Sequence, residues 1–183
     1  MAHSTHSFLK NNDSLLVIID MQENLVPVME DRGVLVENVI KLVRFARIID
    51  LPIIFTEQDK LGDTLSEIRK ELPDIQPVTK VDFSCFGSFE FAENIRRAKR
   101  NTLIIAGIEA HVCVFQTALH GINDYRVHVV SDAVSSRSSH NRAVALQRMG
   151  RGGVTVTSTE MVIFELLKRA GTDTFRQTLK LIK

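Results

Sequence analysis

Five short apolar runs alternate with longer segments of helical period, and this alternation constrains the fold more than any other feature of the chain. The runs are LLVII (15–19), PIIFT (52–56), TLIIA (102–106), RVHVV (126–130) and VTVTS (154–158), and a weaker extended piece, PVTKVDF, lies between the second and the third. Polar residues or glycine follow these mostly β-branched runs, which is typical of buried strands. We therefore expect an α/β fold, with a parallel sheet covered by helices on both faces.

The helical segments are indicated by apolar residues that recur at spacings of three and four. The first spans 35–49 and ends before a proline, which cannot continue a helix. A second begins around Cys113 and ends near residue 123, and a third covers about 139–149. A fourth, 157–171, starts with Thr-x-x-Glu capping-box spacing and ends at a glycine, and the periodicity at 175–182 predicts a last helix.

Length and composition fit one domain. The chain has 183 residues, 44% of them hydrophobic, which is enough for one sizeable core and too little for two separate cores. There is no internal repeat, low-complexity tract or linker, so we predict a single domain over residues 13–183 after a flexible tail at residues 1–12.

The charge balance and the apolar runs disfavour several classes of partner. With 23 Lys and Arg against 22 Asp and Glu, the net charge is +1, and without a basic run we expect no nucleic-acid partner. The start, MAHSTHSFLKNND, lacks the apolar core of a secretory signal, and runs such as LLVII are far below membrane-spanning length. We therefore predict a cytoplasmic protein that does not enter a membrane.

Two cysteines, Cys85 and Cys113, are too few for a disulfide framework. In a reducing compartment each thiol can be a core residue, a metal ligand or a nucleophile. Cys85 lies in the loop-like stretch DFSCFGS, where a packing or pocket-wall role among Phe83, Phe86 and Phe89 is the favoured interpretation. Cys113 taken alone is also more typical of a small buried hydrophobic residue.

Polar residues follow the strands at the edge where ligands bind in parallel α/β sheets. They are Asp20 and Gln22 after the first strand, Glu57, Gln58 and Asp59 after the second, Lys80 and Asp82 in the weak extended piece, and Glu109 to Cys113 after TLIIA. An acid, a base and a thiol therefore reach one edge of the sheet.

Three of these residues together predict nucleophilic catalysis. A cysteine in the first turn of a helix lies at the positive end of the helix dipole, and a nearby ammonium adds to the effect, so we expect Cys113 to form a thiolate near neutral pH. Asp20 would take the thiol proton or hold a water molecule, and Lys80 would stabilise the moving negative charge. The N–H groups of Glu109 and Cys113 would form an oxyanion hole, which favours acyl transfer through a thioester.

Three segments of the chain resemble the signature segments of the isochorismatase-like cysteine hydrolases, in the same order. They are VIIDMQ, the TK that contains Lys80, and AGIEAHVCV. TEQDKLGDT, SDAVSSR and TSTEMVIFELL are similar to the branch of uncharacterised hydrolases in that superfamily, so the resemblance covers most of the chain.

This resemblance implies a fold, an activity and a set of site residues. The fold would be a three-layer α/β/α sandwich, Rossmann-like, with a six-stranded and mainly parallel sheet. The triad would fall on Asp20, Lys80 and Cys113, and the reaction would be hydrolysis of an amide-like C–N bond in a small molecule. Family members also carry a cis peptide that would fall between Ile108 and Glu109, although no proline supplies it.

Departures from the family pattern narrow the activity. Nicotinamidases of the superfamily hold a metal through an Asp-x-His segment after the second strand, whereas TEQDKLGD contains no histidine, so we expect no metal. The six histidines are His3, His6, His111, His120, His128 and His140, and only the first two show ligand-like spacing. True isochorismatases have glycine at the position of Cys113, so vinyl-ether cleavage is disfavoured.

A nucleotide cofactor is not expected either. The loop after TLIIA offers one glycine, Gly107, followed by Ile, Glu and Ala, so a G-x-G-x-x-G dinucleotide site is absent from it. No P-loop sequence occurs. We therefore predict an enzyme without a cofactor.

Two hypotheses for function remain. The first is a cysteine hydrolase of a small amide, and the second is a catalytically idle scaffold of the same fold that binds a small molecule or forms oligomers. Apolar helices such as MVIFELL leave surface for a homo-oligomer, although they fit ordinary packing on the sheet equally well. Gln22, Leu25, Gln58, Phe86 and His111 are the candidate substrate-pocket residues.

Overall fold

The computed structural model describes residues 8–182, in which one sheet lies between two groups of helices. The strands are β1 (Ser14–Ile19), β2 (Ile53–Gln58), β3 (Val78–Lys80), β4 (Thr102–Ile108), β5 (Arg126–Ser135) and β6 (Thr155–Thr157). The helices are α1 (Arg32–Ile48), α2 (Ser66–Arg69), α3 (Phe89–Ala98), α4 (Cys113–Gly121), α5 (Ser139–Arg151), α6 (Thr159–Leu167) and α7 (Asp173–Ile182). Short 3-10 turns occur at Asn11–Asp13, Val26–Val28 and Cys85–Gly87.

The sheet has six strands in the order β3-β2-β1-β4-β5-β6, and each neighbouring pair is parallel. All five predicted runs and the weaker extended piece are strands, so the predicted α/β/α sandwich is confirmed. β5 continues five residues beyond the predicted run, to Ser135, and carries the chain further toward the edge where the strands end.

The side chains of β1 show how the layers are held together. Leu16 and Ile18 pack with α1, α6 and the β5 side chain Val130 in one core, while Leu15, Val17 and Ile19 pack with α3, α4 and α5 in the other. Because successive strand residues point to opposite faces, one continuous apolar run fills both cores. The run of six buried residues at 14–19 is therefore explained by burial on both faces.

The strand order reverses between β1 and β4, and the ends of these two strands are in contact through Gly107. Gly107 has φ +112°, and a Cβ added there would lie 2.1 Å from the carbonyl oxygen of Ile19. Glycine alone permits both this backbone conformation and this approach. The close contact brings the residue after β1 next to the loop that precedes α4, at the place where ligands bind in such sheets.

Several boundaries differ from the predicted ones. The N-cap of α6 is Ser158, whose hydroxyl accepts from the N–H of Met161, rather than Thr157, which belongs to β6. The helix ends at Leu167, four residues before the predicted glycine, because Lys168 adopts positive φ. Neither α2 nor α3 is among the predicted helices, and α2 is a single helical turn, too short to show a period.

The predicted flexible tail at 1–12 falls partly outside the described residues, which begin at residue 8. Leu9 is buried and its N–H donates to Glu165 Oε2 at 3.0 Å, so the packed part of the chain begins a few residues earlier than predicted. The domain boundary at residue 13 otherwise stays a prediction. None of the helices within residues 8–182 is long and apolar enough to cross a membrane.

Candidate active site

Two strand ends and the start of one helix bring a carboxylate, an ammonium and a thiol together at the edge of the sheet. Asp20 directly follows β1, Lys80 is the last residue of β3, and Cys113 is the first residue of α4. β3 lies two strand positions from β1, about 10 Å away, and the long lysine side chain crosses the end of β2 to cover that distance. The geometry therefore needs a long side chain on this edge strand.

The Asp20 carboxylate is fully buried and has partners on both oxygens. Its Oδ1 accepts from Thr56 Oγ1 at 2.7 Å and its Oδ2 accepts from Lys80 Nζ at 2.7 Å. Both side chains of the Asp20–Lys80 ion pair are 0% exposed. A buried carboxylate persists only when such partners replace water, so this pair is a fixed element of the site.

The Lys80 ammonium contacts four groups. Besides Asp20, it donates to Gln58 Oε1 at 2.7 Å and lies 3.3 Å from the carbonyl oxygen of Asp82 and 3.6 Å from Cys113 Sγ. Burial is the largest single effect and lowers the pKa of Lys80, but the charge and hydrogen bond of Asp20 together with the two nearby cysteines raise it, and the pKa lies above its ordinary value. Lys80 is therefore a cation in the resting site.

The Cys113 thiol is protonated at neutral pH, which corrects the expected thiolate. Burial and then the negative charge of Asp20 raise the pKa of Cys113 to about 12, and the opposing effect of Lys80 is too small to reverse this. A carboxylate beside a thiol favours the neutral form of the thiol. The start of α4 favours an anion by only about 0.3–1 kcal/mol, so it does not offset burial beside a carboxylate.

The loop between β4 and α4 leads directly into Cys113. The peptide bond between Ile108 and Glu109 is cis. The carbonyl of Glu109 accepts the N–H groups of both Val112 and Val114, at 3.0 and 3.2 Å. These two bonds fix the loop directly before Cys113, whose own N–H is the first of the helix.

Two of the candidate pocket residues are glutamines that bind the protein itself. The amide of Gln22 is fully buried, donates to the carbonyls of Gln58 and Gly62, and accepts the N–H of Gln58. Gln58 accepts from Lys80 and donates to the carbonyl of Val81 at 2.6 Å. Their polar atoms are thus occupied by contacts that hold the site together.

The other three candidate pocket residues have different surroundings. Leu25 packs against the core on the α1 side. The Phe86 ring stacks on Tyr125, lies tilted over His120 and meets Phe91 edge to face. These contacts place it near the C-terminal end of α4 rather than beside Cys113, the first residue of that helix. It is therefore a packing residue here, because the turn at Cys85–Gly87 directs it toward Gly121.

His111 belongs to a polar cluster at the end of β5. Its Nδ1 lies 2.9 Å from Ser136 Oγ and 3.9 Å from Glu109 Oε2. The Glu109 carboxylate accepts the N–H of Arg137 at 3.1 Å and pairs with the guanidinium of the same residue at 3.1 Å. This cluster joins the loops that follow β4 and β5, next to the helix start that carries Cys113.

Cys85 is completely buried behind the site. Its N–H donates to Thr117 Oγ1 on α4 at 2.9 Å, and its Sγ lies 4.0 Å from Thr56 Oγ1. Burial raises the pKa of the Cys85 thiol to about 12. This placement fits the packing role, although Phe83 and Phe89, two of its expected aromatic neighbours, are exposed.

Metal ligands are not grouped in the described part of the chain. His3 and His6, the pair with ligand-like spacing, lie outside the described residues. Within residues 8–182, no group of three or more His, Cys, Asp or Glu side chains could hold a metal ion. The expectation of a site without metal therefore stays a prediction.

Thr56 is a site residue that was not predicted. It lies opposite Ile19 in the β1–β2 register, one residue before Asp20, and its hydroxyl hydrogen-bonds that carboxylate. The sequence contained a signal for this role, because Thr56 is the polar residue that ends the run PIIFT, just as Asp20 follows the run LLVII. The bond from Gln22 to the carbonyl of Gly62 had no comparable signal in the sequence, since it depends on the path of the loop that contains Gly62.

Comparison with known proteins points to one family. The model of the isochorismatase domain matches residues 14–161. The secreted isochorismatase effector Isc1 of Phytophthora sojae is 37% identical over 179 residues, covering 94% of this chain and 85% of the relative.

Two solved structures share the fold. The MAR1 ribonuclease of Caenorhabditis elegans has a TM-score of 0.90 at 32% identity, over 96% of this chain and 92% of that chain. The YcaC gene product of Escherichia coli, described as an octameric hydrolase of unknown specificity, has a TM-score of 0.87 at 24% identity, over 97% and 88% of the two chains. At that identity the second likeness bears on the fold alone.

Proposed function

The chain belongs to the isochorismatase family, and from this premise we propose that it is a cysteine-dependent hydrolase of an amide-type C–N bond in a small molecule. One observation carries the proposal. The Lys80 ammonium lies 2.7 Å from Asp20 Oδ2 and 3.6 Å from Cys113 Sγ, so a proton acceptor, a cation and a nucleophile adjoin at the edge where ligands bind.

The first half-reaction forms a thioester. As Sγ of Cys113 attacks the carbonyl carbon, the thiol proton passes to the Asp20 carboxylate, which adjoins the same Lys80 ammonium as the sulfur. Because the pKa of this thiol is about 12, proton transfer accompanies attack rather than preceding it. Lys80 stabilises the negative charge, and the N–H groups of Glu109 and Cys113 stabilise the oxyanion by about 3–4 kcal/mol per donor. The C–N bond then breaks, and the amine leaves with the proton from Asp20.

The second half-reaction consumes one water molecule. Asp20 takes a proton from water as the water oxygen attacks the thioester carbonyl carbon. The C–S bond breaks, the sulfur recovers its proton from Asp20, and a carboxylic acid leaves. Asp20 thus accepts and returns one proton in each half-reaction, and the products are an amine and an acid.

A panel of small amides with rapid detection of the released amine tests this function. We expect a burst of about one amine per protein chain wherever hydrolysis of the thioester is slower than its formation. Cys113→Ala should abolish turnover of every substrate found, whereas the matched variant Cys85→Ala should retain it, because Cys85 is buried behind the site. Turnover that survives in Cys113→Ala would contradict the mechanism.

A catalytically idle scaffold is the second candidate, and one observation favours it. The Cys113 thiol has a pKa of about 12 and is only 7% exposed, which is also the environment of an unreactive core cysteine. A panel without turnover, combined with a small molecule that raises the melting temperature of wild type and Cys113→Ala equally, would support this alternative.

The name of the C. elegans relative makes RNA a substrate to test. A net charge of +1 gives the chain little non-specific attraction for a polyphosphate, so we propose that RNA is not its substrate. A labelled RNA that is cleaved by wild type and not by Cys113→Ala would contradict this. The proposed substrate bond would then be a phosphodiester of RNA instead of an amide.

We also propose that the chain forms a homo-oligomer. Val81, Phe83 and Phe89, which follow the edge strand β3, are large apolar side chains exposed by half or more. Sedimentation of the full chain should give a mass of at least two protomers, and a monomer at micromolar concentration would contradict the proposal. The cytoplasmic location stays a prediction, because one relative is named a secreted effector.

A further inference from the structure

We infer that Gln58 is a positioning residue that holds the Lys80 ammonium between Asp20 and Cys113, and that the buried Gln22 fixes Gln58 for this purpose. The inference rests on the proposed function, since it concerns the same site. It replaces the expectation that these two glutamines contact substrate. Four observations on hydrogen bonding and burial support it.

The first observation is the short contact between Gln58 and Lys80. Gln58 Oε1 lies 2.7 Å from Nζ, the same distance as Asp20 Oδ2. An ammonium has three protons, and two of them are taken by these acceptors. The third points toward the carbonyl of Asp82 at 3.3 Å and the sulfur of Cys113 at 3.6 Å. Gln58 thus defines the direction in which Lys80 meets the nucleophile.

The second observation is that the Gln58 amide has one allowed orientation. Its Nε2 donates to the carbonyl of Val81 at 2.6 Å, which is an acceptor only. A flipped amide would set its oxygen against that carbonyl and its NH₂ group against the ammonium. The oxygen of the Gln58 amide must therefore face the ammonium of Lys80, while its nitrogen faces the carbonyl of the next residue, Val81.

The third observation is the support that Gln22 gives. Gln22 is 0% exposed, and its amide binds the backbone of Gln58 on both sides: Oε1 accepts the N–H at 2.8 Å and Nε2 donates to the C=O at 3.0 Å. The remaining Nε2 proton goes to the carbonyl of Gly62 at 2.6 Å. Gln22 follows Asp20 by two residues, so the chain that supplies the proton acceptor also fixes the residue that orients the cation.

The fourth observation is the neutrality of this second acceptor. A carboxylate at position 58 would compete with Asp20 for Lys80 and would add negative charge near a thiol whose ionisation is already disfavoured. An amide binds the ammonium without cancelling its charge. The positive charge of Lys80 therefore remains available to the sulfur when the thiol loses its proton.

Alkylation of Cys113 tests the inference without any substrate. The rate with iodoacetamide follows the thiolate fraction, and peptide mapping by mass spectrometry separates Cys113 from Cys85. Gln58→Glu should slow Cys113 alkylation between pH 8 and pH 10 by about tenfold or more, which corresponds to one unit of thiol pKa. Gln58→Met, which keeps the shape and removes the acceptor, should slow it by about threefold or more.

A matched control carries the same charge change elsewhere. Gln177 is exposed on α7, which packs against α1 and α6, so Gln177→Glu should leave the alkylation rate unchanged. If Gln58→Glu and Gln58→Met both alkylate within twofold of wild type while folded, or if both fail to fold, Gln58 has a structural role and the inference is wrong. These rates do not depend on turnover, so a failure of the proposed hydrolase activity is a separate result.

Discussion

Cys113 and Cys85 are identical side chains that differ in what surrounds their sulfur atoms. The pKa of each is raised to about 12, first by burial and then by the charge of Asp20. Cys113 begins α4, keeps 7% of its surface exposed and lies 3.6 Å from Lys80 Nζ, whereas Cys85 is fully buried and its sulfur faces Thr56. Under the proposed function, access and a fixed proton acceptor, rather than thiol acidity, would make Cys113 the nucleophile and leave Cys85 a packing residue.

The largest expected effect is the selectivity of alkylation in the folded protein. Iodoacetamide at pH 8 should modify Cys113 about a hundredfold faster than Cys85 or more, because a fully buried thiol reacts only through local opening of the structure. Peptide mapping over time measures both rates. Preferential labelling of Cys85 would reverse the assignment of the two thiols.

The next largest effect concerns the Asp20–Lys80 ion pair, whose ammonium lies beside Cys113 and not beside Cys85. Lys80→Met leaves the Asp20 carboxylate buried without its cation, so the free energy of unfolding should fall by about 3–5 kcal/mol in urea titrations. The double variant Asp20→Leu/Lys80→Met removes both charges and should lose less than Lys80→Met alone. A single variant as stable as wild type would contradict the burial of this pair.

Thr56 lies between the two cysteines and sharpens the comparison. Its hydroxyl donates to Asp20 Oδ1 at 2.7 Å and lies 4.0 Å from Cys85 Sγ. Thr56→Val should lower the free energy of unfolding by about 1.5–3 kcal/mol, the usual range for a hydrogen bond to a charged group. In double-mutant cycles the coupling of Thr56 to Asp20 should exceed its coupling to Cys85, and the reverse order would contradict this account.

The smallest expected effect is the pH dependence of stability that comes from His128, which lies outside the site. It occurs in acid, whereas the two thiols titrate at high pH. Burial lowers the pKa of His128 below its ordinary value of 6.5. As pH falls below about 6.5, the unfolded chain binds a proton that folded His128 does not bind, so the free energy of unfolding decreases; above that pH this contribution is complete. His128→Val should flatten this dependence in urea titrations from pH 5 to pH 8, and an unchanged slope would assign it to another group.

The fold was largely predictable because burial on both sheet faces leaves a simple sequence pattern. Apolar runs such as LLVII identify strands that contact two cores, and the period at 35–49 identifies α1. The pattern weakens where polar residues continue a strand, so the last five residues of β5 were missed. The N-cap of α6 was placed one residue early, because the neighbouring Thr157 and Ser158 are both good caps and only the end of β6 selects between them.

The site was predictable in its members and less so in its chemistry. Strand ends of a parallel sheet share one edge, so Asp20, Lys80 and Cys113 were expected there, and the structure brings their side chains into contact. The protonation of Cys113 could not be inferred, because it depends on how deeply the tertiary structure buries the sulfur beside Asp20. The positions of Gln22 and Gln58 were also expected, but their partners come from loops whose path the sequence pattern does not define.

Mass spectrometry of the intact protein, quenched in acid during turnover of a small amide, tests the central claim most directly. The account predicts an added mass equal to the acyl group, located on Cys113 by peptide mapping, absent from Cys85 and lost in Asp20→Asn. An acyl adduct on Cys85, or turnover with no adduct and no loss of rate in Cys113→Ala, would contradict it.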